Sequence, residues 1–420
     1  MMKKRYLILA LTTLLFSCDT PTQQVIEKGE KQLTIFVASD SHLLSKNLIS
    51  DDNQIYTKDK LTSDGRVQEY DYQLLEEYVE QINIHKPEYA FLTGDLTFNG
   101  EKSSHEEVVR ILSNVKESKV LVIPGNHDLY NISPRSFVLD KLTYTETITD
   151  KDFKSIYEEF GYKGAISYDS ESLSYFYKLD DNNYALMIDS NNTEYNYQFD
   201  TNIVGGSLTE NTYLWIEENL KKARQENKNV ISFMHHNLLV HNELFKDSYT
   251  LYNNHLLIEL FEKYGVKINF SGHLHIQSIK ENINGEYKMY DIASGGLLDY
   301  GNRYGKLDIY KSAYEYNSIR LSPSSINNFN DYSFDVFYDE YYKKSIGSNE
   351  YYFKDKAKEI TDFASKVNAF YFDGDYVSIH QLKEENKKIA RLIKRSKKHV
   401  YIAKMLELEN ENQDYLLIEK

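Results

Sequence analysis

Five short runs in this chain concentrate residues that bind metal ions. They are Asp40-Ser-His42, Gly94-Asp95, Gly125-Asn126-His127-Asp128, His235-His236 and Gly272-His273-Leu-His275. An Asp-x-His run offers a hard oxygen and an imidazole on the same side of an extended segment, because side chains alternate. A lone aspartate after a glycine, as at Asp95, can reach between two cations and bridge them. Glycines let the backbone turn sharply and approach an ion closely. The set offers nitrogen and oxygen but no thiolate. It therefore suits Zn, Mn, Fe or Co rather than Cu(I), and the imidazoles argue against Mg or Ca alone. Two such ions side by side can clamp a phosphate, supply a hydroxide and stabilise charge on a leaving oxygen.

The elements around these runs decide whether they can meet. Each run follows an apolar stretch of strand length: residues 33–38, 89–92, 119–123, 230–234 and 266–270. Helical spacing of apolar residues predicts helices over 70–86, 104–118, 209–227 and 256–264, with Ser104 as an N-cap and Pro87 as a stop. Further strands are predicted at 174–179, 184–188, 287–293 and 306–310. Alternation of strand and helix is the pattern of parallel sheets with covering helices. The expected fold is α/β, a two-sheet αββα sandwich. Ligands that follow parallel strands gather at one edge of such a sheet, where α/β proteins place their sites. Beyond residue 323 glycine becomes scarce, and helices are predicted over 331–344, 352–368 and 383–405. The domain reading is 1–17 signal peptide, 18–31 linker, 32–322 catalytic domain and 323–420 helical C-terminal domain.

The five runs, in this order, resemble the calcineurin-like metallophosphoesterases, whose pattern is Asp-x-His, Gly-Asp, Gly-Asn-His-Asp/Glu, His and Gly-His-x-His. The resemblance covers roughly residues 33–307 with every element present. It implies a dinuclear site with two divalent ions (Mn, Fe or Zn). Asp40, His42 and His275 would hold one ion, Asn126, His235 and His273 the other, and Asp95 would bridge them. His127 would protonate the leaving group rather than bind metal, and Asp128 would orient a neighbour. The family's His-His segment uses its first histidine, which favours His235 over His236. The family often has proline just after this segment, where this chain has Asn237-Leu238. The implied reaction is hydrolysis of a phosphodiester by a metal-bridging hydroxide. The nearest likeness is to the class III cyclic-nucleotide phosphodiesterase-like branch, which also carries helical C-terminal extensions. A phosphomonoesterase on the same site, or a lipoprotein that binds without catalysis, are the alternatives.

The N-terminus points to export. Lys3, Lys4 and Arg5 precede an apolar run from Tyr6 to Phe16, too short to span a bilayer as a mature helix. Leu15-Phe16-Ser17-Cys18 resembles a bacterial lipobox, with Cys18 as the acylated residue that would tether the chain to the outer side of a membrane. Cys18 is the single cysteine of the 420 residues, so no disulfide forms within the chain. The net charge of −15 argues against a nucleic-acid-binding face. Phosphate-ester substrate and lipid bilayer are the expected partners. His85, His105, His241, His255, His380 and His399 read as surface or core histidines. The basic run 387–398 reads as the solvated face of a helix. Tyr130, Tyr195 and Tyr197 are candidates to line a pocket.

Overall fold

The computed structural model describes residues 26–50, 65–138 and 142–420. The signal peptide, Cys18 and most of the tether lie outside the described residues. β1 (Lys31–Ala38), β2 (Tyr89–Thr93) and β3 (Lys119–Ile123) run parallel, joined by α1 (Asp71–His85) and α2 (Lys102–Leu112). Their buried faces explain the unbroken apolar runs: a parallel strand covered on both sides has no wet face to alternate with. β4 (Arg135–Ser136) and β5 (Thr143–Tyr144) form a small hairpin, and α3 (Asp150–Ile156) starts from a Thr149/Asp152 capping box.

A second sheet follows. It contains β6 (Ser167–Tyr168), β7 (Tyr175–Lys178), β8 (Asn183–Ile188), β9 (Asn229–Met234), β10 (Ile268–Ser271), β11 (Ser278–Asn284) and β12 (Tyr287–Ala293). Its order is β11-β12-β10-β9-β8-β7-β6, with β8, β9, β10 and β12 parallel. α4 (Glu210–Gln225) and α5 (Asn254–Tyr264) pack on its outer face through Ile216, Leu220, Leu257 and Phe261. β13 (Arg303–Tyr310) and β14 (Ala313–Arg320) then return to the first sheet, beside β1. The two sheets meet face to face. Phe91 of β2 stacks on Phe233 of β9 with ring centroids 3.9 Å apart. The expected two-sheet sandwich is therefore the observed one.

The C-terminal region is helical, with α6 (Phe329–Phe353), α7 (Ala357–Phe372), α8 (Tyr376–Glu385), α9 (Lys387–Arg395) and α10 (Val400–Met405). Three details differ from the sequence reading. The predicted break in 344–352 is absent, and one 25-residue helix runs through it. The predicted helix 383–405 is three short ones, and β15 (Tyr415–Glu419) follows, pairing with β14 at the edge of the first sheet. α2 begins at Lys102 rather than at a Ser104 cap. Ser104 is drawn inside because its Oγ accepts the Ser45 amide at 3.0 Å.

One buried carboxylate ties the second sheet to the loop beyond β9. Asp291 of β12 accepts the amides of Leu238 and Leu239 and a ring N–H of His241 on one oxygen. The other oxygen accepts the Asn269 amide and the Ser271 hydroxyl. Removing it would strand several buried donors. Asp291→Ala is expected to lower stability by about 3–5 kcal/mol, and Asp291→Asn by less. Urea unfolding checks this: a loss under about 1 kcal/mol for the alanine variant would show that the network is dispensable.

Candidate active site

The C-terminal ends of β1, β2, β3, β9 and β10 point to one place, and each delivers one of the five runs. Two buried groups of donors result. Asp40, His42, Asp95 and His275 form one; Asp95, His235 and His273 form the other, with donor atoms in each group within 4.8 Å of one another. Asp95 belongs to both. Asn126 joins the second group, its Oδ1 lying 3.1 Å from His235 Nε2.

The backbone is bent to achieve this. Thirteen described non-glycine residues have positive φ, and Asp40, His42, Asp95, His273 and His275 are five of them. That conformation is costly for a residue with a Cβ, and it gathers here because the side chains must turn inward from strand ends. Glycines permit the rest. A Cβ on Gly125 would collide with Asp95, and one on Gly272 with Ser39 and Asp40.

Hydrogen bonds aim each ring. His235 Nδ1 lies 2.8 Å from the Thr93 carbonyl, which takes its proton and leaves Nε2 facing Asp95 Oδ1 at 3.4 Å. His275 Nδ1 lies 2.9 Å from Asp299 Oδ2, so Nε2 faces Asp40 at 3.2 Å and His42 Nε2 at 3.3 Å. His273 Nε2 meets the Ser248 carbonyl at 3.2 Å, which leaves Nδ1 available. Ring nitrogens and carboxylate oxygens thus converge, with backbone amides of His127 and His273 steadying Asp95 and Asp40. A divalent cation completes such an arrangement, and the nitrogen and oxygen donors fit two. The electrostatics agree. Burial opposes charge on His235, yet Asp95 pushes its pKa up to about 9. His275 is likewise buried, and Asp299 and Asp40 raise it to about 10. Burial alone would raise the Asp95 carboxyl, but the His235 and His127 rings hold it well below the usual range. The same negative field would meet an incoming cation.

His236 points away. Its Nδ1 bonds Ser190 Oγ and its Nε2 the Val204 carbonyl, and burial lowers its pKa to about 3. His127 stands apart from both groups. Its Nδ1 lies 2.8 Å from the Phe98 carbonyl, its Nε2 faces Asp95 Oδ2 at 3.9 Å, and its side chain is 30% exposed. Burial lowers its pKa, with Asp95 acting against the shift. Asp128 accepts the amides of Gly125, Leu96 and Thr97, locking the loops after β2 and β3 together. Asn237 replaces the family's proline usefully: its amide N–H binds the Tyr249 carbonyl, and its side chain donates to Ser271 and Gly272.

The groups open into a cavity of about 660 Å³. Its walls include residues that the sequence reading passed over: Arg66, Arg135, Asp299 and Tyr249. Asp299 had only a weak signal, an acid four residues after Gly295 and beyond the end of a predicted strand. The two arginines had none. Tyr130, Tyr195 and Tyr197 do not line this cavity; the tyrosines that do are Tyr249, Tyr341 and Tyr401. His105, His241, His380 and His399 are bonded within the protein, and His85 and His255 are exposed.

Residues 33–277, more than half the chain and the whole span of the five runs, match the calcineurin-like phosphoesterase family. The chain belongs to that family. Membership makes it a metal-dependent phosphoester hydrolase by class. Among solved structures, a dimetal phosphatase from Danio rerio is similar, at 11% identity and a TM-score of 0.48, covering 70% of this chain and all of that one. GAP50, the anchor in the inner membrane complex of Plasmodium, is similar at 11% identity and a TM-score of 0.37, covering 73% of this chain and 95% of that one. Comparison with curated proteins found no match.

The ring geometry predicts different roles for the adjacent histidines of this phosphoesterase. In calorimetric titration with Mn²⁺, His235→Ala is expected to lose tight binding of one ion. His236→Ala should retain two and weaken them no more than about tenfold, the lower end for a supporting residue. Loss of an ion in His236→Ala alone would reverse the assignment.

Proposed function

We propose that the chain hydrolyses phosphodiesters at a centre of two divalent ions, Mn, Fe or Zn. Asp40, His42 and His275 would hold one ion, Asn126, His235 and His273 the other, with Asp95 between them. The observation that carries this reading is the sharing of one buried carboxylate by two donor groups that open on the same cavity. Such ions, when bound, neutralise phosphoryl oxygens and make water acidic enough to act as a nucleophile at neutral pH. The chain's own residues supply orientation and proton handling. The Phe98 carbonyl accepts the His127 Nδ1 proton and fixes the ring, leaving Nε2 at the cavity wall, from which the doubly protonated ring would pass its second proton to the departing alkoxide. Arg66, whose Nη2 lies 3.5 Å from His275 Nδ1, borders the floor and can neutralise a phosphoryl oxygen. Asp299 holds His275 in the tautomer that presents Nε2.

The cavity leaves room for the organic groups of an ester beside the phosphate. About 660 Å³ exceeds what a bare phosphate needs and lies within the range of sites that enclose organic ligands. We further infer that the protein is exported and anchored by a lipid on Cys18, which places its substrates outside the cytoplasm. The support is the basic, apolar and Leu-Phe-Ser-Cys sequence at the N-terminus.

Two expectations follow. With Mn²⁺, bis(p-nitrophenyl) phosphate should be cleaved faster than p-nitrophenyl phosphate. Chelation should abolish turnover, and Asp95→Asn should lower kcat/KM by about a thousandfold. A preference for the monoester would move the chain to the phosphatases, and no turnover with two ions bound would sink the enzymatic reading. For the anchor, Cys18→Ser should shift the protein from the membrane to the soluble fraction. Unchanged membrane association would refute it.

A further inference from the structure

Phosphate-binding machinery explains only the floor of the cavity. The wall is a separate construction, and much of it comes from the C-terminal helices. An aromatic path starts at the floor, where the Tyr249 ring lies 4.6 Å from the His273 ring, centroid to centroid, tilted by 36°. Phe245 continues it 5.9 Å from Tyr249. Tyr401 of α10 continues it again, 5.6 Å from Phe245. The Tyr401 hydroxyl donates to Asn368 Oδ1 of α7 at 2.9 Å, while its ring is held by packing against Phe245 and Tyr371. Phe337 of α6 and Phe372 of α7 add a second pair, 4.8 Å apart.

These rings are not all core residues that happen to lie near a cavity. Phe245 keeps 41% of its surface exposed. An exposed ring at the cavity wall presents apolar surface that a ring entering the cavity can cover. The path offers ring faces and edges at successive depths from the donor groups outward, the arrangement that receives a flat ring by offset or edge-to-face stacking. A flexible aliphatic chain would gain less, because it must surrender rotamer freedom to lie on such a surface.

We propose that the C-terminal helices, with Phe245 and Tyr249, form a recognition wall for the organic part of the substrate, and that this part carries a planar aromatic ring. The inference rests on the phosphoesterase reading for the position of the phosphorus, but ring recognition is measurable without turnover. The wall decides which esters are accepted, and the donor groups decide what is done to them. Discrimination by apolar contact of this kind is modest, about ten- to two-hundredfold.

The test uses the full chain loaded with Mn²⁺ and two inert probes, phenylphosphonate and methylphosphonate, in calorimetric competition. The wild type is expected to bind the phenyl compound at least about tenfold tighter. Phe245→Ala and Tyr401→Ala should each bring that ratio close to one, and Tyr401→Phe should keep it. Phe245 is exposed enough for its alanine variant to fold if the Tyr401 variant does not, and circular dichroism of each variant checks this. Equal affinity for the two phosphonates in the wild type, no binding of either, or a ratio untouched by Phe245→Ala would each overturn the wall. Turnover of bis(p-nitrophenyl) phosphate is followed in parallel. Turnover without ring preference would sink the wall and leave the hydrolase standing. Ring preference without turnover would keep the wall and sink the hydrolase.

Discussion

A single buried carboxylate, Asp95, sets the geometry of the whole molecule. Its two oxygens face histidines from both sheets: His42 beyond β1, and His235 beyond β9. The amide of His127, beyond β3, donates to it at 2.9 Å. For one carboxylate to serve both sides, the strand ends of two sheets must lie within a side chain's length of each other. The flat Phe91–Phe233 stack between β2 and β9 sets that spacing a few residues below the site. The left-handed turns at the donors then bring the side chains back over the sheet edge. Fold and site are therefore one constraint seen at two scales. The sandwich exists with this register because a polar cluster, costly to bury unless its members meet, must close at its rim.

What was legible in the sequence follows from how local each feature is. The five runs were legible because a strand is an apolar stretch and its end is where polarity returns. A metal donor directly after such a stretch is placed by the strand itself. The sandwich was legible for the same reason, since alternation of strand and helix fixes parallel pairing. Arg66, Arg135 and the aromatic wall were not legible. They come from loops and helices far apart in the chain, and only long-range packing brings them to one cavity. Ser104 misled for a related reason. It has the character of a cap, yet a contact with Ser45, 59 positions earlier, pulled it into the helix. His235 and His236 illustrate the limit most sharply. Alternation sends adjacent side chains to opposite faces, but which face holds the site depends on Thr93 and Val204, which no local pattern reveals.

The C-terminal helices look separable in sequence, being helical, motif-free and at the end of the chain. Their contacts argue otherwise. In the Gly-His-x-His run the histidines point to the donor groups, and the residues between and after them, Leu274 and Ile276, pack against the C-terminal helices. Both are buried in a cluster with Ile360, Phe363, Val367 and Tyr371 of α7. The backbone continues the attachment: the Gln277 amide donates to the Phe372 carbonyl at 2.9 Å, and the Gln277 side chain donates to the Gln413 carbonyl at 2.7 Å. β15 then closes the chain onto β14 of the first sheet. His273 and His275 both have positive φ, a conformation that persists only where surroundings overdetermine it. The helical layer supplies that surrounding. A phosphoesterase core cut before residue 323 would keep every donor in its sequence but expose Leu274 and Ile276, and the strained loop would have nothing to hold its shape. The helices are thus part of the machinery twice over, once as the backing of two candidate ligands and once as a wall of the cavity those ligands face.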